Sequence, residues 1–285
     1  MIFDVHSHWG TKRGYPFQTP EELAHQETVF KSKPRYHTEQ EMAAHFRAHD
    51  AKVILDLGVR APAPPDEVRA LHDYAFETQR QYPDVIFGNW LHVDPRAGKD
   101  AVAEFERCLR AGSGFVGLGV PGAGFNVPAS DARYAPLYEL CIDAGVPALI
   151  MVGTTGLGVG RPGGAGVRLY ASHPSHLDEV AATYPELQIV ASRPAWPWQT
   201  EMIAILLHKP NVIYEVHGWS PKYFTADLKA EIRGRLQDRV MFGADYPLIG
   251  YERLVADWTK EGYPDEVLEK VFRKNAERYF ARMAR

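Results

Sequence analysis

The sequence predicts a single (β/α)8 barrel, and three observations predict it. Short β-branched and aromatic runs recur at eight places along the 285 residues, and a stretch with helical spacing follows each of them. No Gly-rich phosphate loop follows the first run, as a doubly wound open sheet of that size would want. The length also suits one such domain, because barrels commonly run to about 250 residues, and no repeat or low-complexity linker divides the chain.

The expected strands are residues 2–6, 52–57, 85–92, 115–120, 147–152, 188–192, 211–216 and 239–243. Between them the helical stretches are about 39–49, 66–80, 99–111, 134–144, 174–184, 199–208, 224–235 and 251–259, and a last helix is expected at about 264–281. Eight strands, each followed by a helix, close naturally on themselves. The first connection is oversized, running from Trp9 to about Thr38 with Trp9, Tyr15, Phe17, Phe30 and Tyr36 along it. Connections this long in compact domains are functional lids or contain short helices, and this one would lie over the C-terminal end of the first strand, where barrel sites are built. After the fifth strand, residues 153–166 hold seven glycines. This stretch reads either as a mobile loop or as a rim where backbone approaches a ligand closely. Its GxGxxG match at Gly158, Gly160 and Gly163 opens no helix directly, so it does not read as a dinucleotide site.

Hydrophobic residues at 45% and charged residues at 24% exclude a disordered or collagen-like chain. Lys+Arg 32 against Asp+Glu 36 leaves a net charge of −4 without a long basic run, which argues against nucleic acid or an anionic membrane and for a small-molecule partner. The longest apolar runs, such as 146–152, are too short to span a bilayer, and Asp4, His6 and His8 stand where a signal peptide needs positive and then apolar residues. The expected location is therefore cytoplasmic. Cys108 and Cys141 lie in helical stretches outside any CxxC pair and read as small buried apolar residues.

Chemistry concentrates at strand ends. In Asp4-Val5-His6-Ser7-His8 the histidines are two apart, so the pleat sends both to one face, which in a barrel is the interior. Two converging imidazoles are either metal ligands or polar groups for substrate, because burying them unpartnered costs about 1–3 kcal/mol each. Phe242-Gly243-Ala244-Asp245-Tyr246-Pro247 ends the eighth strand, and strands one and eight are neighbours in a closed barrel, so Asp245 falls beside His6 and His8. Asp245 could otherwise be a turn or capping residue before the proline.

Together with these two motifs, four further segments carry a resemblance over nearly the whole chain: Gly153-Thr154-Thr155-Gly156, Trp196-Pro197-Trp198-Gln199, the run from His217-Gly218-Trp219 to Phe224, and Asn275-Ala276-Glu277-Arg278. The chain resembles the amidohydrolase superfamily, within it the amidohydrolase-related group of aminocarboxymuconate semialdehyde decarboxylase-like barrels. That resemblance implies one divalent metal, usually zinc, held by the two HxH histidines, a strand-five histidine and the strand-eight aspartate, with a strand-six histidine as acid or base. Two positions depart from it. The strand-five histidine falls on Met151, a poor zinc ligand, and the strand-six histidine falls on Arg193, which stays protonated and so can be neither ligand nor base. Arg193 can instead hold a substrate carboxylate through parallel hydrogen bonds. The metal set would then be His6, His8 and Asp245, giving one weakly held zinc or manganese, or no metal at all if Arg193 supplies the neutralising charge. Pyrone-dicarboxylate lactonases are similar in being a metal-free precedent.

Glu215, His217 and Trp219 alternate and share a face, so His217 could supply the acid or base that Arg193 cannot, or be a satisfied core histidine. His92 ends the third strand within reach of the pocket, and Trp196 and Trp219 could wall it for a planar acid. His173 and His176 read as helix-start surface residues, His45 and His49 as a solvated helix face, and Arg161 as a weak second anion contact. The expected function is an enzyme acting on a small carboxylated, aromatic-derived molecule by hydrolysis (lactone or C–C type), hydration or non-oxidative decarboxylation. Asp245 would be its base, Arg193 its carboxylate clamp, His217 an accessory group and His6 with His8 the substrate or metal contacts. The other reading is a catalytically silent barrel kept as a binding or scaffold protein. A homodimer is expected by resemblance.

Overall fold

The strands form where β-branched and aromatic residues can be buried on both faces. In the computed structural model, which describes residues 1–15, 19–31, 36–59, 62–111 and 114–281, they are β1 (Ile2–His8), β2 (Ala51–Asp56), β3 (Ile86–His92), β4 (Phe115–Val120), β5 (Ala148–Met151), β6 (Ile189–Ser192), β7 (Val212–Glu215) and β8 (Val240–Met241). All eight expected strands are present and pair in parallel in sequence order. The helices are α1 (Pro20–Phe30), α2 (Glu39–Ala48), α3 (Pro65–Gln81), α4 (Lys99–Arg110), α5 (Ala135–Ala144), α6 (Pro174–Thr183), α7 (Gln199–His208), α8 (Ala226–Arg233), α9 (Tyr251–Lys260), α10 (Asp265–Glu269) and α11 (Asn275–Phe280). The expected last helix is one continuous path, but Lys270–Lys274 is a π turn between α10 and α11.

β8 is shorter than expected. It spans two residues because the chain bends away through Asp245, whose φ is +63°. The seam with β1 is closed by single hydrogen bonds instead of a ladder: Val5 N–H donates to the Phe242 carbonyl at 3.0 Å, and Asp245 N–H to the His6 carbonyl at 2.9 Å. Asp4 locks this seam from the outside. Its buried carboxylate accepts from the Ala244 and His6 N–H groups at 3.1 and 3.0 Å and from the Tyr251 hydroxyl at 2.6 Å.

β1 also differs from expectation by running on to His8, and it carries a bulge. Its pairing moves from Asp4 opposite Val53 to Ser7 opposite Leu55, so β1 spends one residue more than β2. Phe3 and Val5 point inward with Ile54, Trp90, Leu149, Val190, Ile213 and Met241, so an unbroken pleat would turn Ser7 inward and the histidines out. The extra residue inverts that parity. Ala276 and Phe280 of α11 plug the opposite end of the barrel against this apolar layer.

The long first connection contains α1, capped by Thr19 through a capping box, with no buried residue of its own; Phe17 lies outside the described residues. It leans on the Gly-rich loop across the barrel: His25 Nε2 bonds the Val159 carbonyl at 2.7 Å, and the Phe30 ring lies against Gly156. Since the loops that follow β1 and β5 start on opposite sides of an eight-stranded barrel, their contact spans the mouth. No helix among the described residues is long and apolar enough to cross a membrane. Cys108 and Cys141 are free and buried, as expected.

Candidate active site

β2, β3, β6 and β7 each turn from apolar to polar on the same face as they near the mouth. The inward residue after Ile54 is Asp56, after Trp90 His92, after Val190 Ser192, and after Ile213 Glu215 and then His217. Two glycines make the space. A Cβ at Gly119 would meet the His92 ring at 2.2 Å, and one at Gly243 would meet His217 Cβ at 2.7 Å and Glu215 Oε2 at 2.8 Å.

His6 stands at the centre of this layer and is wholly buried. Its Nδ1 is 3.2 Å from Glu215 Oε1 and its Nε2 is 3.2 Å from Asp56 Oδ2. Burial would lower its pKa, but the charges of Glu215 and Asp56 win and lift it to about 10. His217 stacks on it, with ring centroids 3.6 Å apart. His217 Nδ1 is 2.6 Å from Glu215 Oε1, and its Nε2 is 3.1 Å from Arg193 Nη2. Because a guanidinium only donates, Nε2 accepts and the proton sits on Nδ1. Burial, against the pull of Glu215, pushes this imidazole down to about 4. Both nitrogens are engaged, Nδ1 with Glu215 and Nε2 with Arg193, whose side chain the ring props.

Arg193 leaves β6 with φ +69°, a left-handed conformation that non-glycine residues rarely adopt, and this turns its side chain over the mouth. Its Nη1 donates to the Thr154 carbonyl at 3.1 Å, while its Nε is buried without a partner. Asp245 carries the second strained backbone of the site. Its Oδ1 is 2.9 Å from His8 Nε2. Burial would raise its pKa, but His8, His217 and Arg193 hold it far below the usual carboxylate range. Thus the first, sixth, seventh and eighth strands bring His6, His8, Arg193, His217 and Asp245 together. His92 joins them through Asp56, whose Oδ1 its Nε2 contacts. Asp56, held well below the normal carboxylate range by His92 and His6 despite burial, was not anticipated. The available signal was its parity with Ile54 at the end of β2.

Trp196 and Trp219 flank the mouth with centroids 6.4 Å apart, Trp196 exposed and Trp219 half-buried. Met151 points at the same layer, its sulfur 3.0 Å from Ser192 Oγ, whose one proton goes to Glu215 Oε1. His173 caps α6 as expected of a helix-start residue, and Arg161 is exposed on the Gly-rich loop. His45 and His49 do not form a solvated face: His45 stacks on Tyr246 at 4.4 Å and His49 on Tyr251 at 5.3 Å, because α2 packs against the segment after β8.

Ligand atoms of His6, His8 and Asp56 lie within 4.8 Å of one another, a two-imidazole, one-carboxylate set of the kind that holds a divalent ion with open positions. Asp245 stands beside this set at His8. The residues fit a divalent cation.

The family model described as Amidohydrolase matches residues 3–282. No curated protein sequence matches the chain. Among solved structures, an uncharacterized TIM-barrel protein from Bordetella bronchiseptica superposes with TM-score 0.77 at 20% identity, covering 100% of this chain and 99% of its own. A 5-carboxyvanillate decarboxylase from Novosphingobium aromaticivorans, complexed with manganese and 4-hydroxy-3-methoxy-5-nitrobenzoic acid, gives 0.69 at 19%, covering 99% and 96%. A probable 2-pyrone-4,6-dicarboxylic acid hydrolase from Acinetobacter baumannii with citric acid bound gives 0.62 at 14%, covering 98% of this chain and 99% of its own. At these identities the likeness is one of fold.

Proposed function

The chain belongs to the amidohydrolase family, and from that premise we propose that it is an enzyme hydrolysing an activated ester or lactone of a small aromatic or conjugated carboxylic acid. The observation that carries the reading is the pairing of an ionised Asp245 with a propped guanidinium that still has a buried, unpartnered Nε–H.

Arg193 binds the substrate carboxylate through its part-exposed guanidinium, whose plane is fixed by His217 and the Thr154 carbonyl. Trp196 and Trp219 offer flat apolar surface to the ring. Asp245 takes a proton from water as the water oxygen bonds to the acyl carbon, and returns it to the leaving oxygen as the C–O bond breaks. A base must be ionised to begin, and Asp245 is. His6, His8 and Asp56 would hold a divalent cation, which when bound would supply Lewis-acid polarisation of the carbonyl.

Non-oxidative decarboxylation is the second reading, favoured by the decarboxylase among the similar structures. It needs a protonated group to deliver a proton to the ring carbon as the carboxylate carbon departs, so Asp245 would first have to be charged with a proton. Incubation with hydroxybenzoates and with lactone carboxylates, followed by mass spectrometry, separates the two: gain of water marks hydrolysis, loss of carbon dioxide marks decarboxylation. Asp245→Asn is expected to lower turnover about 100-fold or more with the fold retained. An unchanged rate in that variant rejects the mechanism.

A further inference from the structure

Helices α3 and α4 bury a group of side chains that the barrel mouth does not use. His72 on α3 is wholly buried, and Glu104 and Cys108, four residues apart on α4, share the face of that helix that meets it. Cys108 Sγ lies 3.6 Å from His72 Nδ1 and 3.5 Å from Glu104 Oε1, and the nitrogen and oxygen are 2.7 Å apart. Thiolate, imidazole and carboxylate are the donors that zinc takes, and bonds of about 2.0–2.3 Å at tetrahedral angles set such atoms about 3.3–3.6 Å apart. Both sulfur distances already fit, and the nitrogen–oxygen pair has to open by about 0.6 Å.

The tautomer of His72 supports this arrangement. Its Nε2 lies 3.1 Å from the His92 carbonyl, which only accepts, so that nitrogen carries a proton. In a neutral ring the bare Nδ1 then faces a carboxylate oxygen, and two lone pairs at 2.7 Å need a positive centre between them. That centre is either a second ring proton or a metal ion, and the thiol lying beside both atoms favours the ion. A ligating imidazole ordinarily gives its other N–H to a carbonyl or carboxylate in this way. Arg107 and Arg69 hold the far oxygen of Glu104, Oε2, at 2.8 and 3.4 Å, so only the Arg107 Nη2 contact with Oε1 has to yield. The two charges of the ion are matched by the carboxylate and by the thiolate that Cys108 becomes as its proton leaves to solvent.

We propose that His72, Glu104 and Cys108 form a zinc site between α3 and α4, separate from the barrel mouth and tied to the end of β3 through the His92 carbonyl. Chelator-treated, reduced protein is titrated with Co2+ and then with Zn2+. A thiolate bound to cobalt gives a near-ultraviolet charge-transfer absorption that imidazole and carboxylate ligands do not, so the band reports Cys108 and not His6, His8 and Asp56. The wild type is expected to show this band, to lose it as Zn2+ displaces cobalt with a rise in melting temperature, and to hold one zinc per chain more than Cys108→Ala by elemental analysis. His72→Gln should weaken the cobalt affinity read from the band by more than the roughly 10–100-fold that losing a supporting contact costs, and Cys141→Ala should keep the band unchanged. If Cys108→Ala does not fold, Cys108→Ser takes its place with the same expectation. A wild type without the band means a hydrogen-bonded cluster only and overturns the proposal, as does a band that survives removal of Cys108. Both readouts are taken without substrate, so they are separate from the turnover test of the proposed hydrolysis.

Discussion

The His6 and His217 rings are stacked 3.6 Å apart at an interplanar angle of 10°, and Glu215 Oε1 faces the Nδ1 atoms of both. Two imidazoles this close in a buried layer cannot both be charged, and the structure resolves the conflict by lifting His6 to about 10 and lowering His217 to about 4. While no ion is bound, one ring is a cation held between carboxylates, the other a neutral acceptor for Arg193.

Glu215→Gln removes the anion that stabilises this arrangement and leaves the His6 charge short of a partner. Breaking a buried pair from one side costs about 3–5 kcal/mol. Chemical denaturation of metal-free protein should show a loss of that size, and a loss within experimental error would remove Glu215 from its central position.

The two shifts have opposite signs in stability. His6, raised in the fold, contributes stability that is full below its ordinary 6.5 and is lost as pH rises toward about 10. His217, lowered in the fold, binds a proton more readily when unfolded, so its contribution is full above 6.5 and is lost as pH falls toward about 4. Chelator-treated protein should therefore be most stable near pH 6.5. His217→Gln should flatten the acid limb between 4 and 6.5 while leaving the alkaline limb, measured by thermal melting across pH.

Arg193→Lys keeps the charge but not the fork that reaches His217, Thr154 and a ligand together. A hydrogen bond to a charged group is worth about 1.5–3 kcal/mol, so KM for a carboxylate substrate should rise by roughly 10–100-fold. Equal KM values in steady-state kinetics would mean that the guanidinium does not hold the substrate.

Gly243→Ala puts a methyl group 2.7 Å from His217 Cβ and 3.2 Å from His6 Cβ. Overpacking of this kind costs about 1–3 kcal/mol, and here it would also part the stacked rings. Both melting temperature and turnover should fall, whereas Gly262→Ala, on an open surface turn, should affect turnover little.

Eight strands and the helices between them were legible because burial on both faces demands unbroken β-branched and aromatic runs. Strand ends were less so. β8 was expected over five residues and spans two, since a backbone that must turn Asp245 inward leaves the ladder early. Asp56 went unread because a single aspartate closing a strand looks like any turn residue until Ile54 is known to face inward.

From its order of residues alone, the chain determined a barrel and the convergence of its two ends, because parallel strands joined by helices close with the first beside the last. Whether His6 and His8 faced that centre was a separate matter. An HxH spacing puts two side chains on one side of a strand but does not say which, and only the extra residue that β1 spends between Asp4 and Ser7 turned them inward. That bulge is held by hydrogen bonds that Asp4 accepts from the Ala244 N–H and the Tyr251 hydroxyl, partners some 240 residues away in sequence, so no local pattern could have specified it.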